Sequence, residues 1–104
     1  MIFIAGDWTE VDNKKSFDGA EAQLIDTERY HQIYGTKYIV NLYTLLNETV
    51  PDLEYKQQLD LALCVLSMCD MIYMLKGWES NNDVRLLHDY ADANGYKIIY
   101  SKKF

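Results

Sequence analysis

Apolar residues fall into two patterns along the chain: short runs with no helical period, and longer stretches where they recur every three or four positions. "MIFIA" at the start is a run of the first kind and predicts a buried strand. The polar segment "GDWTEVDNKKS" follows it as a loop. From Ser16 the spacing of Phe17, Ala20, Leu24, Thr27, His31 and Tyr34 predicts a helix, capped by Ser16 and stopped by Gly35. "TKYIVNL" is the second strand, ending near Asn41. Pro51 interrupts the segment from Thr44 to Leu53, which reads as a loop with a short helical turn. Asp52 then caps a helix running to about Ser67. That helix is apolar almost all round, with Leu59, Ala62, Leu63 and Leu66 on one face and Leu61, Cys64 and Val65 filling much of the rest. "DMIYML" gives a third strand and "NNDVRLLHDYADAN" a third helix, started by Asn82 or Asp83 and closed by Gly95. "KIIY" is the fourth strand.

Strands separated by helices pair in parallel through right-handed crossovers. The expected fold is therefore a single α/β domain over residues 1–104, a three-layer sandwich around a parallel sheet of about four strands, Rossmann/flavodoxin-like in plan. Ligands of such folds settle beyond the carboxyl ends of the strands, where the strand order reverses. Three segments meet there: residues 6–15, the chain from Asn41 onward, and residues 76–82.

Composition narrows the ligand class. With 104 residues, 12.2 kDa and 49% hydrophobic content, the chain is sized for one core. A net charge of −6 argues against a grip on nucleic-acid phosphates, and Lys102-Lys103 is no more than a short basic cluster near the end. No run approaches the roughly 20 apolar residues of a membrane span, and "MIFIAGD" lacks the basic start of a secretion signal. A cytoplasmic protein is expected. Cys64 and Cys69 have neither redox nor zinc spacing and read as buried thiols in a helix. His31 and His88 have no carboxylate or second histidine at metal spacing, so neither a metal nor a cofactor is expected. The nine tyrosines, scattered over several elements, suggest packing between copies in a homo-oligomer.

"MIFIAGDWT", Phe17, Asn41, "CDMIYMLKGWES" and the "RL" before a helix ending at Gly95 together resemble the nucleoside 2-deoxyribosyltransferase-like family, in particular its small bacterial and phage branch. The resemblance covers nearly the whole chain and is most specific from Cys69-Asp70 to Glu79. It implies a nucleoside or nucleotide as ligand. Active members of the wider fold cleave an N-glycosidic bond with a glutamate nucleophile, a carboxylate able to meet an oxocarbenium-like centre and form a glycosyl ester.

Several positions depart from the family pattern. Its stretch Gly-Trp-Glu-x-Ser-x-Gly-Ala-Arg-Leu-Glu ends on the nucleophile, and laid on "GWESNNDVRLL" that position is Leu87, which cannot form the ester. Asp83-Val84 replaces the Gly-Ala pair. Asp7 and Leu42 stand where prolines are usual, and Ala62 where a helical Asp is frequent. The leading expectation is a domain that binds a nucleoside or nucleotide without the usual nucleophile. Its pocket would use Gly6, Asp7, Trp8, Thr9, Asn41, Gly77, Trp78, Glu79 and Ser80, with Trp8 or Trp78 stacking on the base and the two glycines permitting backbone approach. One alternative is an active N-glycosidase or transferase with Glu79 or Asp83 as relocated carboxylate, although Asp83 fits simple helix capping better. Another is an interaction module, in which Leu87 and Val84 close the rim with apolar atoms. Asp70 precedes the third strand, opposite the rim, and reads as a structural turn residue.

Overall fold

The computed structural model describes residues 1–31 and 38–104, the side chains of 28–31 excepted. Its centre is the strand β1 (Ile2–Ala5), in which every residue is buried. β1 pairs in parallel with β2 (Ile39–Asn41) on one side and with β3 (Met71–Met74) on the other, and β3 pairs with β4 (Lys97–Tyr100). The order is β2-β1-β3-β4. The chain thus leaves β1 in one direction and later returns on its other side, so the strand order reverses between β1 and β3.

Right-handed crossovers to the two sides of β1 place helices on both faces of the sheet. Helix α1 (Lys14–His31) packs on β1 and β2, through Phe17, Ala20 and Leu24. It begins earlier than the apolar spacing predicts, after a 3₁₀ turn at Val11–Asn13, so Ser16 lies inside its first turn and is not the cap. The predicted stop at Gly35 falls outside the described residues.

The segment after Asn41, predicted as mostly loop, is helical. It forms α2 (Leu42–Thr44) and a π turn (Leu45–Thr49), and buries Leu42, Tyr43 and Leu46. The cause is Asn41 itself, whose side-chain oxygen accepts a bond from the Thr44 amide at 3.1 Å and starts the helix.

Helix α3 (Tyr55–Leu66) is capped by Glu54, not Asp52: Glu54 and Gln57 form a reciprocal capping box. Only Ala62 and Leu66 on α3 are fully buried, with Leu59, Leu61, Leu63 and Val65 partly so. Cys64 is exposed, contrary to expectation, while Cys69 is buried in the turn beyond the helix. Helix α4 (Asn82–Ala93) packs on β1, β3, β4 and α3. Its cap is the preceding residue, Asn81, whose side-chain oxygen accepts from the Asp83 and Val84 amides at 2.9 and 3.1 Å.

At the amino end of the sheet, the Asp70 carboxylate receives the Met1 amino group at 2.9 Å, as suits a structural turn residue. No described helix is long and apolar enough to cross a membrane.

The two thiols should differ sharply. Burial pushes the Cys69 thiol up to about 11, and its Sγ lies 3.4 Å from the Val65 carbonyl. With a thiol reagent at pH 8, Cys64 should react promptly and Cys69 only after unfolding. Equal rates for both in the native protein would contradict this packing.

Candidate functional site

Beyond the carboxyl ends of β1 and β3 the backbones stay in register for one more residue, the Leu75 amide donating to the Ala5 carbonyl at 2.9 Å. This contact governs the next position. A Cβ on Gly6 would lie 2.8 Å from Leu75 Cδ1, so Gly6 is a glycine because Leu75 fills the space beside it. It serves packing, where ligand approach was expected. Gly77 differs: its φ is +80°, a Cβ there would meet nothing within 4 Å, and it turns the chain from β3 into the 3₁₀ turn Trp78–Ser80.

Between these loops is a cavity of about 210 Å³. Asp7, Asn13 and Ser16 form one wall, Leu75, Lys76 and Gly77 the other, and Phe104 closes it. The first wall is held rigidly. Asp7 Oδ1 accepts from the Thr9 amide at 3.0 Å and from the Thr9 hydroxyl at 2.6 Å, and Asn13 Nδ2 donates to the Asp7 carbonyl at 2.9 Å. Asn47 Nδ2 ties the same loop to the π turn by donating to the Trp8 carbonyl at 2.7 Å.

Of the residues expected at the pocket, Asp7 and Gly77 line this cavity. Trp8 does not: it is 1% exposed, its ring stacks on Tyr55 at 5.7 Å, and Nε1 donates to Gln58 Oε1 at 3.0 Å. Its face is already used within the core. Trp78 turns toward α4 and stacks on His88 at 4.2 Å. His88 in turn bridges Asp89 at 3.0 Å and Tyr100 at 2.9 Å. Thr9, Glu79 and Ser80 are exposed.

Asn41 is buried, and its Nδ2 donates to Asp18 Oδ1 at 3.1 Å. Asp18 and Glu48 both contact Lys14 Nζ, at 2.8 and 2.9 Å, and their bonds hold that ammonium charged well above the usual lysine range. This cluster fastens α1 to the π turn and is separate from the cavity.

The helix after β3 carries the largest departure. Leu87 and Val84 are both fully buried, so apolar side chains close the α4 side of the rim. Asp83, one turn before Leu87, accepts a bond from the Tyr55 hydroxyl. Partial burial, the bond to Asp83 and the charges of Asp83 and Asp7 push the Tyr55 phenol up to about 12. The cavity lies on the α1 side. No group of three or more potential metal ligands occurs among the described residues.

The residues named from sequence omitted Asn13, Ser16, Leu75, Lys76 and Phe104, although Asn13 and Lys76 fall within the rim segments 6–15 and 76–82. Asn13 and Ser16 lie in the polar run after β1, and the clue was available: that run extends onto the first turn of α1. Phe104 belongs to no periodic segment and gives no such clue.

A four-stranded parallel α/β domain with a polar crevice at its strand-order reversal is the class defined by these features. Within that class the chain belongs to the family described as a domain of unknown function, DUF4406, which matches residues 1–100. Neither the curated proteins nor the solved structures gave a match to the chain.

Two measurements test this geometry. Leu87→Glu, which restores the carboxylate of the resembled pattern, should destabilise the fold by about 4 kcal/mol in urea denaturation, because it buries a charge without a partner. Unchanged stability would place Leu87 at an open surface. For Tyr55, the folded phenol ionises above its unfolded value of about 10, so its contribution is complete below that pH and is lost as pH rises toward 12. Tyr55→Phe should flatten that part of the stability profile; an unaltered profile would contradict the Tyr55 to Asp83 link.

Proposed function

We propose that this domain binds a nucleoside or nucleotide in the crevice between the ends of β1 and β3. The observation that carries the reading is the cavity's position and lining. It lies at the strand-order reversal, where ligands of open parallel sheets collect, and offers a carboxylate, an amide and a hydroxyl beside an unobstructed left-handed glycine. Those groups suit the hydroxyls and edges of a sugar or base. The resemblance to nucleoside 2-deoxyribosyltransferase-like proteins points to the same ligand class. The burial of Leu87 weighs against their usual covalent step.

A second reading, N-glycoside cleavage, is favoured by one observation: Asp7 brings a carboxylate to the cavity wall. A nucleophile must stand at the sugar carbon it attacks. Neither Glu79 nor Asp83 lines the cavity, whereas Asp7 does, so Asp7 is the better candidate for the relocated carboxylate. The protein is further read as cytoplasmic and self-associating, the latter supported by exposed apolar side chains such as Val11, Met68 and Leu86.

Calorimetry with a panel of deoxynucleosides and their monophosphates is the direct test. Binding should be saturable, and Asp7→Ala should weaken it about tenfold, as expected for the loss of one charge-assisted bond. No heat with any member would refute the nucleoside reading. Chromatography of the same mixtures decides between the two readings: base release abolished by Asp7→Asn establishes cleavage, and intact ligand throughout establishes binding alone.

A further inference from the structure

After β4, residues 101–104 stay against the sheet. They cross the carboxyl end of β3 as a strap, Ser101–Phe104, fastened at both ends. The Ser101 amide donates to the Met74 carbonyl at 2.9 Å, and the Lys76 amide donates to the Phe104 carbonyl at 3.1 Å. Ser101 Oγ accepts the Phe104 amide at 2.7 Å and lies 3.1 Å from the Tyr73 hydroxyl.

The strap ends in a notch on α1. A Cβ on Gly19 would overlap the Phe104 ring, with Cδ1 and Cζ both at 2.9 Å, so the ring seats only because residue 19 has no side chain. Phe104 is shared by two spaces. On one side is the 210 Å³ crevice; on the other is an open groove of about 490 Å³ along α1, lined by Gln23, Asp26, Thr27 and Lys103 among others. The crevice alone is smaller than the roughly 300 Å³ at the lower end of ordinary small-molecule sites. It has room for a base or a pentose.

We propose that the strap is a displaceable wall that sets ligand size: with Phe104 in the Gly19 notch the crevice admits a base or sugar moiety, and with Phe104 lifted it joins the α1 groove and admits a nucleoside monophosphate. Lys103, adjacent to the wall, then supplies the cation for the phosphate, and Asp26 lies about two helical turns beyond Gly19. Lifting Phe104 breaks the bond from the Lys76 amide to the Phe104 carbonyl and that from the Phe104 amide to Ser101 Oγ, and frees Lys103 from the ring it lies over, while the Ser101 bond to Met74 keeps the strap attached. This inference rests on the nucleoside reading, but its structural half is measurable without any ligand.

The experiment compares wild type with Gly19→Ala and Phe104→Ala. Gly19→Ala places a better helix former in α1 and so leaves the helix intact while denying the ring its seat. Amide exchange at Lys76 should quicken at least about tenfold in both variants, with the Leu75 amide unchanged as an internal reference. In calorimetry, the affinity for a deoxynucleoside monophosphate relative to deoxyribose should rise about tenfold in both. Unchanged exchange at Lys76 would overturn the seating of the ring. Faster exchange with the ligand ratio unaltered would overturn the strap's role as a wall while leaving the nucleoside reading intact. Absence of binding by all three proteins would instead overturn the nucleoside reading, and the size role with it.

Discussion

Everything at the rim follows from the position of β1. It pairs in parallel with β2 on one side and β3 on the other, where the strand order reverses, and all four of its residues are buried. The hydrophobic effect favours that placement for Ile2, Phe3, Ile4 and Ala5, and parallel pairing then requires a crossover to each side. Once β2 and β3 flank β1, the loops leaving β1 and β3 must diverge, one toward α1 and the other toward α4. The Leu75 amide holds the two strands together for one further residue, and Gly6 accepts the resulting side-chain contact. The crevice opens immediately beyond.

The crevice is then divided by what fills its two sides. On the α4 side, Val84 and Leu87 join the core, Trp78 lies flat on His88, and Tyr55 holds Asp83. That side has become structure. On the α1 side, polar residues of the β1 loop and the first turn of the helix face the remaining space, and a chain segment outside the 1–100 family match closes it. Packing therefore fills the α4 side of the rim and leaves a crevice on the α1 side.

The architecture was largely legible in the sequence because it is written in periods. Four apolar runs without a helical repeat became four strands, and three longer segments, the second of them apolar almost all round, became the three long helices. Boundaries were less legible, since caps depend on single side chains: Asn41, Glu54 and Asn81 start helices that spacing alone assigned to a loop, to Asp52 and to Asn82 or Asp83. The candidate site was legible in location and less so in membership. A tryptophan in a polar loop reads equally as a stacking surface or as a core residue, and Trp8 is core because α3 supplies Tyr55 and Gln58 from 47 and 50 positions away. No local pattern encodes that meeting. Gly19 reads as a tolerated helical glycine until Phe104 is seen against it.

Entry of ligand on the α1 side of the rim, as proposed, is tested most directly by a two-dimensional amide NMR titration of the protein with a deoxynucleoside and its monophosphate. Shifts should concentrate at Asp7, Asn13, Ser16 and residues 75–77, with Phe104 responding and α3 silent. Shifts centred on Trp78, His88 and Tyr100, or an unchanged spectrum at saturating ligand, would contradict it.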